Sequence, residues 1–190
     1  VEPRLVLFVK PEDDTLDLII NDSSIYNNFM SCTTGKCPTF ISNGDQTGAG
    51  AYDFDGTNDF INVTDSQSLN ISSSFTLAAW AKFDNNDPNQ FQYIFEKQSN
   101  DGTPNGKGSP YLYYNGTRIV FGFRNHINTS FREIEYSFVP TVGQWYHIAG
   151  VFDDSQDQLH LYINGTGVLT SPTITDTPLA TYGNWFIGRI

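Results

Sequence analysis

The most regular alternation of apolar and polar positions lies between Gly143 and Gly167. Side chains change character every second residue through Trp145-Tyr146-His147-Ile148-Ala149-Gly150-Val151-Phe152, and again through Leu159-His160-Leu161-Tyr162-Ile163. Period two is the spacing at which strand positions switch faces, so the pattern predicts an antiparallel hairpin. Asp153-Asp154-Ser155-Gln156-Asp157-Gln158 supplies the reversal, and Asn164-Gly165 starts the next one, because Asn-Gly tolerates the positive φ angles of a tight turn. A second Asn-Gly, Asn115-Gly116, separates Tyr111-Leu112-Tyr113-Tyr114 from Arg118-Ile119-Val120-Phe121-Gly122-Phe123. Two copies of strand, Asn-Gly-Thr, strand predict a meandering antiparallel sheet.

The same period recurs along the chain. Arg4 to Val9 reads as a first strand ended by Pro11, and a short apolar segment runs from Leu16 to Ile20. Residues 26–50 hold many turn formers and little periodicity, which predicts a long loop braced by Cys32 and Cys37. Tyr52 and Phe54 share one face, with Asp53 and Asp55 on the other, and Phe60 to Val63 follows after Gly56-Thr57-Asn58. Phe75, Leu77, Ala79, Ala81 and Phe83 line one face of the next strand, which leaves Trp80 with Thr76 and Lys82 on the opposite face, as a concave surface or a second core contact. Phe91, Tyr93 and Phe95 alternate with Gln92, Ile94 and Glu96; Asn100 to Ser109 is loop by composition. Ile134, Tyr136 and Phe138 face inwards from a strand that Pro140 ends, and Gly183 to Ile190 is the last strand. No dozen residues keep a 3.6 period. Roughly a dozen short strands with Pro and Gly between them predict an all-β fold, two packed antiparallel sheets of jelly-roll type. The 190 residues suffice for one such domain, 1–190.

Composition narrows the function. Aromatic residues make up 15% of the chain and there is a single Met, a mixture suited to pleated surfaces. The net charge of −11, with ten scattered basic residues, argues against a nucleic-acid partner. An acidic balance favours solubility and cation binding. No run of about 18 apolar residues is present to span a bilayer, and the N-terminus lacks a signal-peptide pattern, so export implies a signal already removed. Two features point to export. Cys32 and Cys37 either close a small disulfide loop, worth roughly 2 kcal/mol by chain entropy, or remain two free thiols. The acceptor pattern Asn-x-Ser/Thr occurs at Asn21, Asn62, Asn70, Asn115, Asn128 and Asn164, which together suggest a glycosylated extracellular or cell-surface protein.

Several stretches carry a family likeness. Phe54-Asp55-Gly56 with Asp59-Phe60-Ile61, Phe75-Thr76-Leu77 with Trp80, Trp145-Tyr146-His147-Ile148-Ala149-Gly150-Val151, Leu161-Tyr162-Ile163-Asn164-Gly165 and Phe186-Ile187-Gly188-Arg189 resemble the laminin-G-like/concanavalin A-like lectin superfamily. The order and spacing match from about Ala51 to Arg189. One departure matters: such domains continue after Ile-Gly-Arg into a Gly-rich turn and a strand with an acidic pair, beside the first strand. The expectation is that this strand was clipped, or comes from another segment or a neighbouring chain by strand addition.

Candidate sites follow. Glu133 and Glu135, two residues apart on one strand face, have the approximate separation of a retaining glycosidase pair, but an ordinary solvated face is the plainer reading. The Glu-x-Asp-x-x-Glu string of the laminarinase-type relatives is absent. No Gly-x-Ser-x-Gly or Gly-x-x-x-x-Gly-Lys occurs either. Calcium is the better chemical expectation, since hard cations take six to eight oxygens from loops. Asp22, Asn27, Asp53, Asp55, Asn58 and Asp59 lie near turns that the resemblance brings to the sandwich rim, where superfamily members often hold one structural calcium. His147 shares a face with Trp145 and Ala149 and reads as a buried, hydrogen-bonded histidine and not a metal ligand; His126 and His160 have no companion ligands. Trp145 and Trp185 read as core. Tyr111, Tyr113 and Tyr114, with Trp80, are the expected exposed aromatics for a ligand. The sequence thus predicts a non-catalytic recognition or adhesion module that binds a glycan or a surface protein at its loops. A structural subunit of a surface assembly comes second and a glycosidase third.

Overall fold

The computed structural model describes residues 5, 7, 9–10, 19–45, 47–98, 109–125, 130–178 and 183–189. Its strands are β1 Ile19–Ile20, β2 Met30–Ser31, β3 Thr39–Ile41, β4 Ala51–Asp53, β5 Ile61–Val63, β6 Phe75–Lys82 and β7 Gln92–Lys97. The chain continues through β8 Tyr111–Tyr114, β9 Arg118–Arg124, β10 Phe131–Ser137, β11 Trp145–Asp153, β12 Gln158–Ile163, β13 Thr166–Thr170 and β14 Trp185–Arg189. Among the described residues there is one 3-10 turn, Gln67–Leu69, and no α-helix.

An eight-stranded sheet runs β1-β2-β5-β14-β7-β8-β9-β10 and a four-stranded sheet runs β13-β12-β11-β6, while β3 and β4 form a small third ladder. Every strand pairing is antiparallel. The expected hairpins are present. Ile148 lies opposite Ile163 and Tyr111 opposite Gly122, and the turns between strands use positive φ at Gly116, Asn164 and Gly165.

The core sits between the two large sheets. Leu77, Ile148, Phe152, Leu159 and Leu161 of the smaller sheet meet Leu112, Tyr114, Ile119, Phe121, Phe123 and Ile134 of the larger. Rings interlock across the gap, with Phe123 and Phe152 centred 4.8 Å apart and Phe75 and Phe121 5.7 Å apart. Gly150 is required there, because a Cβ on it would lie 2.2 Å from the Phe121 ring. Strand β6 buries Leu77 and half-buries Phe75, Ala79 and Ala81, while Thr76, Ala78, Trp80 and Lys82 are exposed, the alternation its sequence predicts.

Three details depart from the pattern. The stretch 26–50 holds β2 and β3 as well as loop, and Cys32 and Cys37 are disulfide-bonded within it. In β7 a register shift lies between Tyr93, opposite Tyr113, and Phe95, opposite Leu112. Tyr93 and Phe95 therefore leave on opposite faces, since an extra residue in one strand cancels strict alternation beyond it. Lys97 is 1% exposed. Its ammonium donates to Asp65 Oδ1 at 2.9 Å and to the Leu69 carbonyl at 3.2 Å, beside the Trp185 ring. Burial pulls the Lys97 pKa down and the Asp65 carboxylate opposes it. Of the first predicted segments, Arg4–Val9 and Leu16–Ile20 lie largely outside the described residues; Val9 bridges Asp22, and β1 is the end of the second.

Candidate functional site

Register assigns each outward side chain of the four-stranded sheet to a row. Lys82 faces Trp145, Trp80 faces His147, Ala78 faces Ala149 and then Tyr162, and Thr76 faces Val151, then His160, then Thr170. These residues form one continuous outer face. Trp80 is 50% exposed, its ring 5.4 Å from His147 and edge-on to it. The Lys82 ammonium lies 5.4 Å from the Trp145 ring centre, a cation–π contact that holds both side chains against the sheet. Tyr162 reaches across Gly167, where an added Cβ would meet its ring at 3.4 Å. His160 Nδ1 lies 3.1 Å from the Thr170 hydroxyl. Asn164 closes the end of the row, its Oδ1 accepting the His147 backbone N–H at 2.9 Å.

The rows from Lys82 to Thr76 contain tryptophan, tyrosine, histidine, lysine and small residues, and the face's one carboxylate is Asp153, opposite Gln158 in the row beyond Thr76. In a chain with 21 Asp and Glu, a face with its carboxylate only at one end is poor in acid. Flat rings set between alanines and a glycine give a shallow apolar plane edged by N–H and O–H groups. Such a plane accepts a ligand that is apolar on one side and polar at its rim.

The predicted ligand residues separate. Trp80 is exposed as expected. Tyr111, Tyr113 and Tyr114 are all buried, at 0%, 3% and 0% exposure, so their assignment as exposed aromatics is corrected. Tyr114 points between the sheets, 4.8 Å from the Phe83 ring, and donates to Asn86 Oδ1. Tyr111 and Tyr113 leave on the other side of β8 and form a buried cluster with Val120, against which Tyr93 packs. Trp145 is corrected in the other direction: it stands on the outer face beside Trp80, and Trp185 alone of that pair is core, 4% exposed. The signal was available, since Trp145 and His147 alternate with the buried Ile148.

The carboxylate pair is committed to partners. Glu133 Oε2 accepts the Tyr111 hydroxyl at 2.7 Å, and Glu135 pairs with Arg118 at 2.5 Å. Burial, with the Glu133 hydrogen bond and charge added, raises the Tyr111 phenol well above its ordinary range. Burial and the nearby Glu96 charge push Tyr93 up to about 12. Neutral phenols held this way are structural donors.

The six residues expected at a calcium site do not assemble into one ligand set. The Asp22 carboxylate accepts the backbone N–H of Ser24 and of Asn28, both at 2.8 Å. Asn27 is exposed in the same turn, and Asp53 ends β4 opposite Thr39. Asp55 Oδ1 accepts the N–H groups of Thr57, Asn58 and Asp59, and Asp59 Oδ2 accepts that of Asp55. Among the described residues no group of three or more His, Cys, Asp or Glu is placed to hold a metal ion. The oxygens of Asp22, Asp55 and Asp59 fold their own loops. Of the acceptor asparagines, Asn21 and Asn164 are exposed and Asn62, Asn70 and Asn115 are half-buried; Asn128 lies outside the described residues, as does His126. Asn62 Oδ1 also accepts Asn184 Nδ2 at 2.9 Å.

Two packed antiparallel sheets and an open aromatic sheet face define a lectin-like jelly roll. Residues 55–190 match the family described as the concanavalin A-like lectin/glucanases superfamily, and the chain belongs to it. Among solved structures, it is similar to the binding domain of Paraclostridial Mosquitocidal Protein 1 (17% identity, TM-score 0.74), covering 98% of this chain and 44% of that one. It is also similar to the binding domain of botulinum neurotoxin DC in complex with rat synaptotagmin II (15% identity, TM-score 0.66), covering 97% of this chain and 44% of that one. A third is the receptor binding domain of botulinum neurotoxin mosaic serotype C/D with tetraethylene glycol bound on its Hcn sub-domain (13% identity, TM-score 0.71), covering 97% of this chain and 42% of that one. The chain thus spans less than half the length of each. No curated protein sequence matches it.

Proposed function

We propose that the chain is a non-catalytic recognition module that binds a glycan across the outer face of the four-stranded sheet. The observation that carries this reading is Trp80, a large ring half exposed on the edge strand β6, beside His147 on the outer aromatic face. Sugar rings stack their C–H faces on such a ring and present hydroxyls to the groups around it. The partnered state of Glu133 and Glu135 supports binding over hydrolysis. The Cys32–Cys37 disulfide supports an extracellular setting, because such bonds persist in oxidising compartments. Among the described residues no helix is long and apolar enough to cross a membrane.

A protein neighbour is the second reading, favoured by the similarity to a toxin binding domain solved with synaptotagmin II. A glycan array probed with the wild type and with Trp80→Ala separates them. Signal on a defined set of glycans that disappears in the folded Trp80→Ala variant establishes the site. Silence on every probe at millimolar sugar, or a signal indifferent to Trp80→Ala, overturns it.

A further inference from the structure

Lys97 is a buried amine that the outer aromatic face does not use, and the strand order gathers three distant stretches around it. Lys97 ends β7 opposite Trp185 of β14, and Trp185 lies in turn opposite Val63 of β5, two residues before Asp65. The chain leaving β5 then makes the 3-10 turn Gln67–Leu69, and the residue that follows is Asn70. This loop is pinned from two sides. Asp65 N–H donates to Asn184 Oδ1 at 3.0 Å, and the Ser66 and Ser68 hydroxyls both donate to Asn28 Oδ1. The Lys97 ammonium therefore meets two side-chain carbonyl groups at once, Asp65 Oδ1 at 2.9 Å and Asn70 Oδ1 at 3.5 Å. The Leu69 carbonyl, which also accepts Trp185 Nε1–H, is a third acceptor at 3.2 Å.

An ion pair needs only Asp65 and the Leu69 carbonyl. Asn70 adds what a salt bridge does not require, an amide carbon one C=O bond, about 1.2 Å, from an oxygen already in contact with the amine. Lys97 is 1% exposed and its ammonium lies 5.6 Å from the centre of the Trp185 ring, surroundings that disfavour the charged form. Passing one proton along the short contact to Asp65 leaves a neutral, nucleophilic amine beside an amide and a carboxylic acid. Fixed placement of the reacting groups, with water kept from the amine, is what an otherwise unreactive amide lacks in solution. The Asp65 side chain is 27% exposed, which gives a small product a way out.

We propose that Lys97 and Asn70 join in an intramolecular isopeptide bond, with Asp65 as the proton carrier. Lys97 Nζ gives one proton to Asp65 and attacks Asn70 Cγ. As the new C–N bond forms and the Cγ–Nδ2 bond breaks, a second Nζ proton passes to the departing nitrogen. Ammonia leaves, takes the proton held by Asp65 and enters solvent as ammonium. The third Nζ proton stays on the new amide, Asp65 is a carboxylate again, and no other reactant is consumed. The link spans 27 residues and ties the 3-10 turn to β7. It also removes Asn70 as a glycan acceptor, because both modifications use Nδ2. The intact chain, produced in a host that does not glycosylate asparagine and with Cys32–Cys37 reduced, is expected to weigh about 17 Da less than its sequence by mass spectrometry, one ammonia lost. A cyclised asparagine loses the same mass, so tandem spectra of a digest must show the Lys97 peptide joined to the Asn70 peptide. Asn70→Ala restores the full mass and separates the peptides. Asp65→Ala, its fold checked by circular dichroism, slows the joining by about a hundred- to ten-thousandfold, the usual worth of a positioned acid–base group. The full sequence mass in the folded wild type, loss of ammonia with the two peptides separate, or a link from Lys97 to Asp65 overturns the proposal. Undiminished joining in Asp65→Ala overturns the role given to Asp65.

Discussion

The two outer faces of the sandwich draw on the same kinds of residue and put them to opposite use. On the eight-stranded sheet, Tyr93, Tyr111 and Tyr113 stack on one another, and Tyr111 and Tyr113 are buried. The glutamates beside them are tied to the Tyr111 hydroxyl and to Arg118. On the four-stranded sheet, Trp80, Trp145, His147 and Tyr162 form a plane that water reaches, with a carboxylate, Asp153, only at its end. A buried aromatic layer with saturated hydrogen bonds has already spent its surface on stability, whereas an open one keeps it for a partner. Aromatic content by itself therefore does not locate a binding site; coverage does.

The comparison breaks most sharply at Tyr111. Tyr111→Ala is expected to cost about 3–5 kcal/mol of folding stability, the range for deleting a fully buried ring, read from urea denaturation. A loss below about 1 kcal/mol would mean the two faces are alike. Trp80→Ala should do the reverse. Its stability change stays within about 0.5 kcal/mol, as for surface substitutions, while glycan affinity falls by about 2 kcal/mol, roughly 30-fold, measured by calorimetry. Tyr111→Phe keeps the ring and removes only the donor to Glu133, for about 1.5–3 kcal/mol, a hydrogen bond to a charged group. Lys82→Gln removes the cation over Trp145 and should lower affinity by about 0.5–1 kcal/mol with stability unchanged.

Titration sharpens the comparison at both ends of the pH scale. Tyr93, Tyr111 and Tyr113 have folded-state pKa values raised by burial above the ordinary value near 10. Their contribution is complete below about pH 10 and is lost as pH rises toward 12, because only the unfolded chain ionises them there. Absorbance titration should show these phenols ionising only with unfolding. Asp153, at the end of the aromatic face, is held below the usual carboxylate range by the Ser155 and Gln156 side chains. Asp55 is lowered by the Asn58 and Thr57 amides. Depressed carboxylates stabilise above the unfolded value near 4 and lose that contribution as pH falls. Melting temperature should fall below about pH 4, less steeply in Asp153→Asn.

Much of the fold was legible residue by residue. Asn115-Gly116 and Asn164-Gly165 mark hairpin turns, and the alternation of Phe75 to Phe83 names both faces of β6 correctly. The site was legible only in part. Trp80 was set on the face opposite Leu77, as a concave surface or a second core contact, but Trp145 was assigned to the core and three tyrosines to the surface. Period two separates faces without saying which of them is covered, and a bulge between Tyr93 and Phe95 shifts the count without leaving a mark in composition. Of the residues expected near calcium, Asp22, Asp55 and Asp59 accept their own turns' amides, a role that sequence does not distinguish from metal binding.

By itself, the sequence determined the acidic balance and, from Ala51 onward, most of the strands and their turns, because these follow from neighbours a few residues apart. Only the tertiary structure decided the strand order, which seats Trp185–Arg189 between β5 and β7, the disulfide state of Cys32 and Cys37, and the choice of open face. The reason is physical: an alternating strand can be satisfied by any antiparallel partner. The partner is chosen by burial between sheets, summed over residues more than a hundred positions apart.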